Sequence, residues 1–309
     1  MKARENSFEK AAEKFRKEIP GRVEERVLMK RYTSFRIGGL CELMVSPAGA
    51  DELAKVIEYC EKQGLPWKII GKGSNLLVPD EGLEMVLINL QDALKKIEQT
   101  GENIIRAEAG GRLSRLVKFC QEAGLAGMEW ATGIPGTVGG AIMMNAGAER
   151  RDMHEVLGSV EFYRWPEGRF TRNKNELKMS YRKLELAPKE IILAAELHLA
   201  KDNPSEIKER IGELLRKRRM TQPVSYPSAG SVFKNPPGNF AGKLIEEVGL
   251  KGFRSGDAQV SELHANFIVN RGRAKAKHVL DLIGIIKDKV KKEKGVDLEL
   301  EIEIVGEPK

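Results

Sequence analysis

The chain has little of what several common site chemistries require. Its 309 residues include three cysteines and four histidines. Cys41, Cys60 and Cys120 are odd in number and scattered, which argues against a disulfide framework and against zinc-type spacing. His154, His198, His264 and His278 form no paired ligand motif, so no metal is expected. Aromatic residues make up 6% and do not interleave with basic ones, as base stacking would need. No apolar run approaches the ~18 residues of a membrane span. The first residues, to about Arg26, mix Lys, Arg and Glu and lack the apolar centre of an export signal. A cytoplasmic protein with reduced thiols is therefore expected, with no membrane partner.

The formal net charge is +7, which suits nucleic acid or an anionic small substrate. The densest basic run, Arg216-Lys217-Arg218-Arg219, closes an amphipathic helical pattern, where cations complement the helix dipole. That favours the small anion over nucleic acid.

Two glycine-rich stretches stand out. Gly71-Lys72-Gly73-Ser74-Asn75-Leu76 follows a strand-like segment, Trp67 to Ile70. Thr132-Gly133-Ile134-Pro135-Gly136-Thr137-Val138-Gly139-Gly140 continues to Asn145-Ala146-Gly147-Ala148 and holds no charged residue. Glycine permits φ > 0 and close approach, and successive bare N–H groups make an anion-binding concavity. Two such turns suggest a diphosphate-bearing cofactor. Neither fits a Rossmann or Walker turn, which must open a long helix.

The two stretches belong to an internal echo. Leu53 to Cys60, ending at Gly64-Leu65, matches Leu113 to Cys120, ending at Gly124-Leu125. Both carry the apolar stripe of a surface helix, which makes Cys60 and Cys120 core thiols. Strands are expected at Cys41–Val45, Met85–Ile88, Ile104–Ala107 and Ile191–Leu199. Helices are expected over 207–220, 240–248 and 276–294. The terminal segment alternates: Val296, Leu298, Leu300, Ile302 and Ile304 on one face, Asp297, Glu299, Glu301 and Glu303 on the other, a strand pattern.

Taken in order, Thr33-Ser34-Phe35-Arg36-Ile37-Gly38-Gly39, the two glycine stretches, Ser180-Tyr181-Arg182, Ala229 to Pro236, Ser261 to Phe267 and Leu298 to Glu301 resemble the UDP-N-acetylenolpyruvoylglucosamine reductases. These are p-cresol methylhydroxylase-like flavoproteins. The resemblance runs from about Tyr32 to Gly306 and suggests the shorter, type II form. With the charged first residues read as a helix over 1–30, it implies an α+β fold with a two-lobed FAD-binding domain over 31–200 (lobes 31–90 and 91–200) and a smaller α/β substrate domain over 201–309. It implies reduction of UDP-N-acetylglucosamine enolpyruvate by NADPH through non-covalent FAD.

The residues implied follow by position. FAD would be held by Arg36, by Gly71 to Leu76, by Thr132 to Thr137, and by Gly139, Gly140, Asn145, Ala146 and Gly147. Tyr181, Lys234 and Asn235 would contact the substrate. Arg182 would bind the carboxylate on which charge develops, Ser231 would donate a proton, and Glu301 would assist with a carboxyl whose pKa is raised. His264 and Asn266 fit either a core or a flavin-side role. Three departures from the family pattern are Lys183 after Arg182, Glu149-Arg150-Arg151 where a glycine-containing turn is usual, and Glu303 where a basic residue is usual. Other readings are a flavin oxidase or dehydrogenase of the same fold, or a basic nucleic-acid-binding protein.

Overall fold

The two echoing stripes form the helices Ala50–Gln63 and Leu113–Glu122, each with its apolar face buried. A computed structural model describes residues 2–91 and 93–306, with side chains from residue 7. The ends of the expected parts 1–30 and 201–309 therefore fall partly outside the described residues.

The chain divides into two units. The first comprises Met1–Arg26, Glu42–Lys72 and Glu84–Arg216. The second comprises Val27–Cys41, Gly73–Leu83 and Lys217–Lys309. The expected division was sequential, with its last boundary at 200. The observed one falls after Arg216, and two earlier segments group with the C-terminal part.

Most residues of two sheets belong to the first unit. One orders the strands Arg22–Leu28, Leu40–Ser46, Leu83–Asn89 and Trp67–Ile70, and its last pair is parallel, with Trp67 opposite Val86. The other orders Gly168–Asn173, Leu157–Arg164, Ile191–His198, Ile104–Glu108 and Ile97–Gly101. Cys60 and Cys120 pack in the core of this unit. Burial, and then the neighbouring Glu61 and Glu129, push the two thiols up to about 12. Neither is a thiolate nucleophile at neutral pH.

A buried ion cluster sits on the second sheet. The Glu190 side chain is fully enclosed. Arg172 Nη1 and Nη2 donate to it at 2.9 and 2.7 Å, Arg164 Nη1 at 3.2 Å and the Ala187 N–H at 3.1 Å. Arg172 also lies over Phe162 and Phe170. The Arg172 hydrogen bonds hold the Glu190 carboxyl below the usual range. A depressed carboxylate pKa contributes stability that is complete above the unfolded value, about 4.3, and lost as pH falls through the folded one. Glu190→Gln is expected to cost about 1–3 kcal/mol at pH 7. The gap in melting temperature between variant and parent should close as pH drops below about 4. A gap independent of pH would mean that the packing, not the charge, matters.

The second unit has its own core, from Phe35, Ile37 and Leu77 to Leu298 and Ile302. It holds the helices Ala241–Glu247 and Ala276–Lys294 and the sheet Arg254–Ser255, Ala258–Val260, Ile268–Asn270. The terminal strand is shorter than the alternation predicts. Only Glu303–Ile304 is a strand, parallel to Leu76–Leu77, and Leu300 makes a single bridge to Phe233. The alternation survives in burial, with Leu298 and Ile302 inside. Pairing is limited because the segment meets two different short partners in turn.

Candidate active site

The two glycine stretches meet within the first unit. A β-carbon on Gly71 would lie 2.5 Å from Thr137 Oγ1, so only glycine permits this approach. Among the described residues, the N–H groups of Gly71, Lys72, Gly133, Gly136 and Thr137 donate to no protein group. They form an uncharged set of donors suited to a diphosphate.

Other members of the second stretch are already engaged. The Ile134 N–H donates to Ala131 O, Val138 to Gly111 O and Gly139 to Ala109 O. The Gly140 N–H donates to Thr137 Oγ1, capping the short helix Val138–Met143. A β-carbon on Gly139 would lie 2.9 Å from that of Ala109. Gly139 is thus required by packing. Thr132 is buried, with its N–H on Glu129 O, and Pro135 is exposed.

Beyond this loop, Asn145 is buried and works as a cross-brace. Its Nδ2 donates to Asp152 Oδ2 and to Ser180 O, both at 3.1 Å, and its Oδ1 accepts the His154 N–H at 3.0 Å. Ala146 exchanges backbone bonds with Ala141 and Met153. Arg182 Nη2 donates to Gly147 O at 3.0 Å, and its guanidinium lies 5.1 Å from the centre of the exposed Tyr181 ring. Arg182 follows the segment that Asn145 anchors, so the brace positions it. Lys183 points its cation to Glu185 on the surface.

Asn145, Glu149, Arg150 and Arg182 all have positive φ, at 37°, 54°, 64° and 59°. Glu149 and Arg150 are the two loop residues of a hairpin pairing Ala148 with Arg151. Positive φ at both is the type I′ turn, which explains why glycine is usual there. This chain makes the turn without it.

In the second unit, Gly73 has φ 59°, and a β-carbon there would lie 2.1 Å from Tyr32 O. Its carbonyl accepts the Ser34 N–H at 3.1 Å. Ser34 opens the segment carrying Arg36, which is exposed with φ 54°. Thr33 Oγ1 closes that turn on Ile37 O at 2.8 Å, and Asn270 Nδ2 donates to Phe35 O at 3.0 Å. Among the described residues, the Gly73 and Ser74 N–H groups have no protein acceptor. Asn75 faces Glu301: its Nδ2 donates to Glu301 O at 2.9 Å, and its carbonyl accepts the Glu303 N–H at 2.8 Å. Leu76 pairs with Glu303, so the third departure from the family pattern lies on this strand.

Ser231 and Glu301 belong to one small ladder. Ser231 bridges Phe267, and Phe233 bridges Leu300. The Val232 carbonyl, between them, accepts the Glu301 N–H at 2.8 Å. Lys234 donates its N–H to Glu299 O and pairs its ammonium with the exposed Glu299 carboxylate at 3.2 Å. An exposed pair contributes only about 0–1 kcal/mol, so an anionic ligand can compete for this lysine. Asn235 Oδ1 caps the helix Ala241–Glu247 at the Ala241 N–H, 3.0 Å. His264 is half-buried, and burial lowers its pKa. Asn266 and Asn270 are both buried; the resemblance leaves Asn266 between a core and a flavin-side role, while Asn270 goes unassigned, an asparagine inside an apolar run being the available signal. Among the described residues, no cluster of His, Cys, Asp and Glu could hold a metal, and no helix is long and apolar enough to cross a membrane.

Residues 222–305 match the family model for the C-terminal domain of UDP-N-acetylenolpyruvoylglucosamine reductase, and residues 41–173 match an FAD binding domain. The UDP-N-acetylenolpyruvoylglucosamine reductase of Syntrophomonas wolfei is 42% identical over 290 residues, 93% of this chain and 96% of its own. The chain belongs to the UDP-N-acetylenolpyruvoylglucosamine reductases. The reductase of Caldanaerobacter subterraneus is 45% identical over 280 residues, 90% of this chain and 92% of its own. The crystal structure of the Thermus caldophilus reductase superposes with a TM-score of 0.80 at 39% identity, covering 92% of this chain and 99% of that one. The fold is the expected α+β one, an FAD-binding domain followed by the smaller C-terminal domain of this family.

Proposed function

We propose that this protein reduces UDP-N-acetylglucosamine enolpyruvate to UDP-N-acetylmuramate with NADPH and bound FAD, a step in peptidoglycan precursor synthesis. The observation that carries the proposal is membership of the reductase family over nearly the whole chain. The free N–H groups of the two glycine loops fit FAD chemically. We also propose a cytoplasmic location and no nucleic-acid partner.

The FAD contacts are assigned to Arg36, Gly71 to Leu76, Thr132 to Thr137, and Gly139, Gly140, Asn145, Ala146 and Gly147. When bound, FAD supplies the redox chemistry: hydride from NADPH to the methylene carbon of the enol ether. Negative charge then develops on the adjacent carbon and its carboxylate. Arg182 meets that carboxylate with a planar, permanently charged fork. Ser231 gives its hydroxyl proton to the adjacent carbon. Glu301, whose N–H is held by the Val232 carbonyl on the same ladder, is assigned the carboxyl that steadies the developing charge when protonated. Tyr181, Lys234 and Asn235 bind the UDP-sugar, with Lys234 exchanging Glu299 for phosphate.

The purified protein should carry flavin absorbance, be bleached by NADPH and regain colour with the enolpyruvyl substrate. Colourless protein, or recolouring only by unrelated oxidants, would sink the proposal. Within it, Gly73→Ala tests the first loop. The left-handed backbone costs about 1–2 kcal/mol for a non-glycine residue, and the added methyl meets the Tyr32 carbonyl. Visible absorbance per protein is expected to fall at least about tenfold, as 1.4 kcal/mol or more implies. Gly284→Ala, where nothing lies within 4 Å, should leave it unchanged. Full flavin content in Gly73→Ala would remove this loop from the cofactor site.

A further inference from the structure

Asn266 is 4% exposed and behaves as a substitute strand partner. Its Oδ1 accepts the Phe233 N–H at 3.0 Å, and its Nδ2 donates to the Phe233 carbonyl at 2.8 Å. Its main-chain carbonyl accepts the Val232 N–H at 2.8 Å. Its own N–H is held by His264 Nδ1 at 3.3 Å, and the His264 ring stands edge-on to Phe267. Three bonds from one residue therefore fasten the main chain just after Ser231. On the other side of Ser231, Gly230 has φ 78°, a pliable entry. The clamp and the Ser231–Phe267 bridge hold the serine in place.

We propose that Asn266 is a positioning residue for the protonation step: its carboxamide fixes the main chain at Phe233 and so sets where the Ser231 hydroxyl stands. The inference rests on the reading of Ser231 as proton donor. Proton transfer needs heavy atoms about 2.6–3.2 Å apart, and a displacement of about 1 Å can cost ~10²-fold. Asn266 needs no contact with substrate to exert that control.

Asn266→Asp in the holoenzyme is the test. As a carboxylate it accepts from the Phe233 N–H but cannot donate to the Phe233 carbonyl. Once protonated it does both, and burial makes protonation occur above the ordinary value. Flavin content and bleaching by NADPH are expected to stay within about twofold of the parent, while recolouring by substrate at pH 8 falls about 10–10²-fold. The ratio of variant to parent rate should recover toward pH 5, whereas Asn266→Leu should stay low throughout. The titratable side chains on the packed segments are His264, Glu262, Lys234, Glu299 and Glu301. Both proteins carry them all, so the ratio isolates the introduced carboxyl. Ser231→Ala combined with Asn266→Asp should be no slower than Ser231→Ala alone.

Equal slowing of both half-reactions, or no recovery on acidification, would overturn the inference. So would a normal rate at pH 8 while Ser231→Ala is slow, and that result leaves the serine reading intact. A normal rate in Ser231→Ala would overturn the serine reading and the inference with it. If Asn266→Asp yields no folded protein, His264→Phe carries the test, since it removes the acceptor of the Asn266 N–H while keeping an aromatic ring against Phe267. A several-fold slowing of recolouring alone is then expected, and none would overturn the inference.

Discussion

Ser231→Ala is expected to bind FAD and to be bleached by NADPH at a near-normal rate, while recolouring by the enolpyruvyl substrate falls about 10²–10⁴-fold. That is the usual worth of a positioned proton donor. The steps separate because, on the proposed reading, the hydroxyl is needed only after reduction. The substitution removes one oxygen from a partly buried residue whose main chain is held by the Phe267 bridge and the Asn266 clamp, so the loop should persist. Ser231→Cys should recover part of the loss, because a thiol also donates. Stopped-flow absorbance reads both steps in one protein. Equal slowing of both would mean a disturbed flavin site. No slowing of either would return Ser231 to a polar loop residue, with Glu301 the next candidate.

Arg182→Lys is expected to keep flavin and the NADPH step but to lose about 10²–10³-fold in recolouring, the scale for one oxyanion donor. Lysine keeps the charge and loses the fork. The backbone at Arg182 has φ 59°, a strain that lysine inherits, so the comparison isolates the side chain. Arg182→Gly separates the two contributions further. Glycine relieves about 1–2 kcal/mol of left-handed strain while abolishing the fork. It should melt no lower than Arg182→Lys and be slower still. Substrate reduction within twofold of the parent in Arg182→Lys would leave Arg182 as a surface residue braced on Gly147.

Much of this architecture is legible in the sequence because apolar periodicity reports burial directly. The stripes at Leu53–Cys60 and Leu113–Cys120 become helices with those cysteines inside. The strand Arg22–Leu28 is not legible: it is an edge strand, largely polar as edges tend to be. The hairpin at Glu149-Arg150 is hidden for a different reason, since neither residue advertises positive φ. The terminal alternation overstates a strand because it records which side chains go inside, not whether the backbone finds a ladder. In the site, glycines mark where side chains are forbidden, but not why. Gly71 and Gly139 look alike in the sequence, yet one abuts Thr137 and the other abuts Ala109. The bracing work of Asn145, Asn266 and Asn270 is not legible, because one carboxamide has no periodicity to say which main-chain groups it will tie together.

The pairing of Asn75 with Glu301 joins residues 226 positions apart. A ribosome adding about 5–20 residues per second takes about 10–45 s to cross that interval. Throughout it, Leu76-Leu77-Val78 has been made and its partner strand has not. The hydrophobic trio must wait, shielded or at risk, while the intervening residues are made. The strand Glu303–Ile304, once made, pairs with Leu76–Leu77 and so completes the ladder on which Glu301 and Ser231 stand. On the proposed reading of Ser231 and Glu301, a nascent chain that already holds the glycine loops lacks a residue of the protonation step until Glu301 has been made.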